Sequence, residues 1–343
     1  MSELIIPKGY KEILDIRETE KAIKFIKDCF QTKLAQALNL ERVSAPLFLK
    51  QGTGINDDLN GVERKAEFIL GSGGTVEAPN SLAKWKRMKL KDYAFKEGEG
   101  LYTDMNGIRV DDEVDNLHSH YVDQWDWEKA ITKEDRTIVY LKQTVKKIYQ
   151  AIKETSLEIE KKYPELKQDL PEEITFIHTK ELFEKYPDLT PGQREEKAAK
   201  EHKAIFIIGI GGKLPDGKIH DGRAPDYDDW ITQTEDGKLG LNGDIVVYNF
   251  LLDRSFELSS MGIRVSPESI IEQLKERGAE ERKELEWHKR LIAGEFPLSI
   301  GGGIGQSRLC MLYLQKAHIG EVQSSIWPED MKKQCEEAGI RLL

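Results

Sequence analysis

Two arginines and two acids define the chemistry this chain could perform. Arg109 sits on a strand-like run just before a loop of acids and histidines, and Arg308 opens a helical run directly behind the glycines at 301–303. Asp244 and Glu257 fall on successive strand-like runs. Each alone reads as a solvated surface charge. Together they supply what phosphoryl or nucleotidyl chemistry on ATP requires: fixed guanidinium groups against the phosphate oxygens, and paired carboxylates to hold magnesium.

The elements that must position these groups are visible as periodicity. Ile23, Ile26, Phe30, Leu34, Ala37 and Leu38 recur at helical spacing and end near Asn39. Residues 42–49 (RVSAPLFL) follow as an edge or terminal strand, because a proline cannot donate to a central ladder. A second helix is expected from about Thr132, where Thr132 and Asp135 resemble an N-terminal cap, through Ile138, Leu141, Val145, Ile148 and Ile152. A third opens at Ser266-Pro267-Glu268 and continues towards Ile292 before Gly294. Strand-like runs cover 67–70, 121–127, 205–210, 244–250 and 256–265, several of them close neighbours in sequence, as antiparallel strands are. This order predicts an α+β fold: a mainly antiparallel sheet flanked by helices rather than a βαβ alternation.

Composition narrows the function classes. The 343 residues are 39% hydrophobic with 28 glycines, which suits a globular chain. No repeat, low-complexity tract or Pro/Gly/Ser-rich linker divides them, so one domain over 1–343 is expected. Lys and Arg number 51 against 61 Asp and Glu, a formal net charge of -10 that repels phosphate polyanions, so no nucleic-acid partner is expected. The longest apolar stretch, 204–212, is too short to cross a bilayer and the N-terminus has no signal-peptide core, so no membrane association and a cytoplasmic location are expected. Cys29, Cys310 and Cys335 are widely spaced and odd in number, which supports neither a disulfide framework nor a zinc ribbon.

Several motifs fail on inspection. Residues 209–213 (GIGGK) end like a phosphate-binding loop, but Leu214 stands where a Ser or Thr should hold magnesium, and Ile207 replaces the first glycine. Residues 301–305 (GGGIG) put Gln306 where a dinucleotide site needs its third glycine. His118 and His120 would share a strand face without a third ligand nearby, and Asp226, Asp228 and Asp229 lack the offsets of an EF-hand.

A resemblance joins the surviving residues. APLFL around Pro46, Arg109 with the strand returning from Tyr121 to Glu128, and GGGIGQSRL at 301–309 resemble motifs 1, 2 and 3 of class II aminoacyl-tRNA synthetases, closest to the aspartyl and asparaginyl branch. SLAKWKR at 81–87 resembles that branch's amino-acid loop, and FELSSMGIR at 256–264 its metal-glutamate strand. With EGLYTDM, YVDQWDWE, RAPDYDDW and LNGDI also in place, nearly the whole chain is similar to the ammonia-dependent asparagine synthetases. The branch's anticodon-binding barrel precedes motif 1 and needs roughly 100 residues. Here the helix that resembles motif 1 begins within the first 25, so a catalytic core without that domain is expected.

The resemblance implies ATP-dependent synthesis of asparagine from aspartate and ammonia through β-aspartyl-AMP. It assigns Arg109 to the α-phosphate and Arg308 to the γ-phosphate of ATP, with Asp244 and Glu257 on Mg2+. Ser81, Lys86 and Gln124 match amino-acid contacts, with Lys86 or Arg264 as cation for the carboxylate that is not activated. Asp126, Asp228 and Ser260 are assigned to the ammonium group of aspartate, and Asp57, in GINDDLNG, to the proton of the incoming ammonium. A homodimer is implied. Two positions depart from the pattern: Tyr121-Val122 replaces the Glu-Phe pair that grips adenine, and Ser307 replaces the acid before the motif 3 arginine. The competing readings are a tRNA-charging relative and a non-catalytic aspartate or adenylate sensor.

Overall fold

A computed structural model describes residues 4–57 and 63–343. In chain order the helices and strands are α1 (Ile16–Leu38), β1 (Leu40–Arg42), β2 (Leu49–Lys50), β3 (Glu67–Ile69), β4 (Thr75–Glu77), α2 (Ala83–Asp92), β5 (Gly100–Ile108), β6 (Tyr121–Ala130) and α3 (Ile138–Lys162). They continue with β7 (Thr175–His178), α4 (Thr179–Lys185), α5 (Pro191–His202), β8 (Ala204–Ile208), β9 (Asn242–Asn249), β10 (Arg254–Ile263), α6 (Pro267–Glu276), α7 (Glu286–Ile292), β11 (Ser299–Gly305), α8 (Gln306–Tyr313) and α9 (Glu329–Glu337).

Eight strands form one sheet in the order β1-β5-β6-β11-β10-β9-β8-β7. The five inner pairings are antiparallel, and only the outermost, β1 with β5 and β7 with β8, are parallel. The α+β expectation therefore holds. A separate three-stranded sheet, β2-β4-β3, carries the chain from β1 towards α2.

One face of the large sheet is apolar. Trp125, Trp127, Met261, Ile263, Ile300 and Ile304 lie in one buried cluster with Ile26, Phe30 and Leu34 of α1 and Leu141, Val145, Ile148 and Ile152 of α3. Phe30 and Trp125 rings approach to 4.7 Å. Because side chains alternate across a strand, the same alternation turns Gln124, Asp126 and Glu128 to the opposite face.

Three expectations about boundaries need correction. Residues 43–48 have no regular structure: the strand is β1, ending at Arg42, and Pro46 stands in the connection. The second helix starts at Ile138, capped by Thr137, whose side chain accepts the Tyr140 N–H. Thr132 and Asp135 instead exchange hydrogen bonds in the turn before it. The third pattern is broken where Gly278 adopts φ +63, a backbone region that favours glycine. α6 stops at Glu276, and a 3₁₀ turn at Glu280–Glu284 intervenes before α7. Ile270, Leu274, Trp287 and Leu291 still share one apolar cluster, so the periodicity survives the break.

Candidate active site

The polar face of the sheet carries a cavity of about 180 Å³ whose walls come from four elements. β6 supplies Gln124 and Asp126 beside Glu128, at two-residue spacing. β10 supplies Glu257 and Ser260, and Arg264 follows its last residue, a set that strict alternation would scatter over both faces. A bulge between Glu257 and Ser259 resets the count, so the core takes Phe256, Leu258, Met261 and Ile263. β11 supplies space. A Cβ on Gly303 would lie 2.5 Å from Gln124 Oε1 and 2.7 Å from Asp126 Oδ1, and one on Gly301 would overlap Glu128 Oε2. The triple glycine is thus a bare strand that lets charged side chains lie across it.

Charges in this cavity are buried and paired. Lys86, 1% exposed, donates to Gly302 O at 3.0 Å and lies 3.2 Å from Asp126 Oδ1. It stands on α2 rather than in a loop, and Ser81 lies just before that helix. Burial lowers the Lys86 pKa, with Asp126 opposing the shift. Arg264 forms a two-sided clamp with Glu128, at 2.9 Å, and with Asp228. Burial alone would lower its pKa, but those two carboxylates raise it. Of the acidic run at 226–229, Asp226 is bound by Lys84 and His288, and Asp229 by Arg136, which leaves Asp228 to line the cavity.

A second cavity of about 190 Å³ shares Arg109, Gln124, Glu257 and Gly303 with the first. Arg109 follows the last residue of β5, and its N–H extends the ladder to His120 O at 2.8 Å. Burial lowers its pKa, against the opposing charges of Asp112 and Asp57, and its Nη1 has no hydrogen-bond partner among the described residues. Arg308, on α8, donates to Glu257 O at 2.8 Å and sits 3.4 Å from Glu257 Oε2. Tyr121 and Val122 line this cavity at the positions where the pattern departs. The second departure has a visible substitute: Asp123 Oδ1 accepts the Ser307 N–H at 3.0 Å in the first turn of α8.

His118 and His120 lie in the loop between β5 and β6 rather than on a strand, with His118 Nδ1 2.9 Å from Asp115 Oδ1. Asp57 is 1% exposed and electrostatically coupled to Arg109 and Tyr227. Residues 58–61 of its GINDDLNG segment fall outside the described residues. Asp244, across from Ser260 on β9, lines neither cavity. Burial, together with the charge of Glu257, pushes its carboxyl up to about 7 despite an ion pair with Arg223. Two neighbouring carboxylates that repel one another, on adjacent strands, suit a hard divalent cation. Among the described residues no three His, Cys, Asp or Glu side chains group around a metal, so an ion here would need substrate oxygens as well.

Sequence reasoning passed over Glu128 and Arg223. Glu128 follows from the spacing of Gln124 and Asp126. Arg223 has a subtler signal in the rejected GIGGK segment, because Gly211 adopts φ +99 and a Cβ there would lie 2.8 Å from Arg223 Cβ. That glycine makes room for an arginine and for Trp230, not for a phosphate.

Comparison with known proteins gives the family and the fold. The sequence pattern of the family described as aspartate-ammonia ligase matches residues 17–339. The aspartate–ammonia ligase of Parabacteroides distasonis is 54% identical over 100% of both chains, and that of Clostridium tetani 58% identical over 99% of this chain and 98% of its own. Among solved structures, asparaginyl-tRNA synthetase from Pyrococcus horikoshii with asparaginyl-adenylate superposes with a TM-score of 0.67 at 14% identity, covering 91% of this chain and 71% of that one. The fold is thus that of the class II aminoacyl-tRNA synthetase catalytic core, and the chain belongs to the aspartate–ammonia ligase family.

Proposed function

We propose that this protein is an ATP-dependent ligase that makes L-asparagine from L-aspartate and ammonia through β-aspartyl-AMP. The observation that carries the reading is Arg109, whose buried guanidinium Nη1 has no hydrogen-bond partner among the described residues and which stands at the junction of the two cavities. A carboxylate is a poor electrophile, and adenylation corrects that. An oxygen of the aspartate β-carboxylate bonds to the ATP α-phosphorus as the bond to pyrophosphate breaks. Ammonia then attacks the acyl carbon, and the C–O bond to AMP breaks.

Arg109 meets the charge that develops on the α-phosphate oxygens, and Arg308 holds the γ-phosphate. Ser81, Lys86 and Gln124 hold aspartate, with Lys86 or Arg264 facing the carboxylate that is not activated. Asp126, Asp228 and Ser260 accept from its ammonium group. Asp57 takes the proton of the incoming ammonium, since only neutral ammonia is nucleophilic. Asp244 and Glu257 would hold Mg2+ with the phosphates, and the ion would neutralise charge on the triphosphate. Residues 1–343 are read as one catalytic unit, because the main apolar cluster draws on side chains from Ala22 to Ile340.

The same reading gives a homodimer in the cytoplasm, where ATP and free thiols are held. Leu47 and Ile69 are 68% and 77% exposed beside Phe48 and Phe68, an apolar surface that a second copy would cover. Incubation with aspartate, ammonium, Mg2+ and ATP tests the function: asparagine should appear with AMP and pyrophosphate. Formation of ADP and phosphate would instead indicate an acyl phosphate and overturn the site roles.

A further inference from the structure

Arg223 has no part in the scheme above, yet it touches both halves of the site. Its side chain is 10% exposed. Nη2 donates to Asp244 Oδ1 at 2.5 Å, and Nη1 donates to Ser260 Oγ at 2.6 Å. Nε lies 3.6 Å from Asp228 Oδ2, too far for a hydrogen bond, and among the described residues neither of those two buried atoms has a hydrogen-bond partner. One guanidinium therefore joins a proposed metal ligand to two proposed aspartate contacts, while keeping an unused donor. The surroundings are fitted to it, with Gly211 against its Cβ and Gly262 leaving room for Asp228 Oδ1, which would lie 2.9 Å from a Cβ there.

Of the other cations lining this cavity, Arg109 is read as facing the nucleotide, and Lys86 and Arg264 stand in ion pairs. Lys86 is held by Asp126 and Gly302 O, and Arg264 by Glu128 and Asp228. Aspartate brings two carboxylates and one ammonium group, so its entry adds a net negative charge. A buried guanidinium, for its part, cannot be left without a counter-charge.

We propose that Arg223 couples the two halves of the site: it neutralises Asp244 while no nucleotide is bound, and donates to a carboxylate of aspartate once Asp244 turns to the Mg2+ carried by ATP. The inference rests on the proposed function. Nucleotide then completes the aspartate site, and by linkage aspartate tightens nucleotide binding by the same factor.

Calorimetry on the full chain tests this without turnover. Aspartate is titrated with and without Mg2+ and α,β-methylene-ATP, whose α,β-bridge blocks transfer. Wild type should bind aspartate at least about tenfold more tightly with the analogue present. In Arg223→Met that ratio should fall to within about twofold of unity, and Arg223→Lys should keep part of it. A merely structural role would weaken aspartate equally in both conditions and leave the ratio intact. That result overturns the proposal, as does a wild-type ratio near one. If Arg223→Met fails to fold by circular dichroism, the ratios of Arg223→Lys and Arg223→Gln decide. Should wild type bind neither ligand, the proposed function itself fails, which is distinct from binding without coupling.

Discussion

The cavity proposed for aspartate and the cavity proposed for nucleotide meet at Arg109 but are built differently. On the aspartate side Lys86, Asp126, Asp228 and Arg264 are 1–3% exposed and stand in closed ion pairs on strands, on a helix and in the loop beside them. On the nucleotide side the Arg308 and Glu257 side chains are 24% and 46% exposed and 3.4 Å apart. Such exposed pairs contribute little to stability, whereas breaking a buried pair leaves an uncompensated charge. A small zwitterion with few atoms must be recognised by groups fixed in advance. A triphosphate brings its own charge, and cations that are only loosely committed suffice until it arrives.

The largest expected effect is at the junction. Arg109→Ala should lower aspartate-dependent pyrophosphate exchange by about a thousandfold or more, while calorimetry finds aspartate affinity little changed. An equal loss of aspartate binding would place Arg109 in the fixed half. Next is Asp57→Asn, expected to spare adenylate formation while slowing amidation by about 10²-fold or more in rapid-quench assays. Equal loss of both steps would remove Asp57 from the ammonia step.

Gly303→Ala probes the fixed half from the strand that both cavities share, because its Cβ points at Gln124 and Asp126. Its methyl would enter the space of Gln124 and Asp126, so KM for aspartate should rise by about 100-fold with KM for ATP within about twofold. A parallel rise in both constants would contradict the separation of the cavities.

The smallest effect concerns the floor of the nucleotide half, where His318 caps the turn that carries Ile319. His318 Nδ1 accepts the Gly320 N–H at 3.0 Å, and burial pushes its pKa down to about 4 from the usual 6.5. As pH falls, the unfolded chain takes up this proton first, so stability held above pH 6.5 is lost progressively towards pH 4. Between pH 7 and pH 5 the loss is about 2 kcal/mol, readable by urea melts. His318→Asn should flatten that slope.

How far the sequence reached follows the same division. The alternation of Gln124, Trp125, Asp126 and Trp127 carries both faces of β6, since side-chain period on a strand is a local property. The register of β10 was written in the spacing of Phe256, Leu258, Met261 and Ile263, which lengthens by one residue at the bulge. Thr132 and Thr137 both have capping chemistry, and only the packing of Ile138 against the sheet separates them. The break at Gly278 was masked because Trp287 and Leu291 return to the cluster that Ile270 and Leu274 occupy. Arg223 was legible only indirectly, through Gly211: its partners Asp244 and Ser260 lie 21 and 37 residues away, and the room that glycine leaves for it shows only in the folded chain.

If activation proceeds as proposed, aspartate's own carboxylate oxygen becomes bonded to the α-phosphorus of ATP. Aspartate labelled with ¹⁸O in the β-carboxylate, turned over with ATP and ammonium, tests it by mass spectrometry of the products. One labelled oxygen should appear in the phosphate of AMP and the other in the amide carbonyl of asparagine. Label in inorganic phosphate, with AMP unlabelled, would mean that the carboxylate is activated as an acyl phosphate and not as an adenylate.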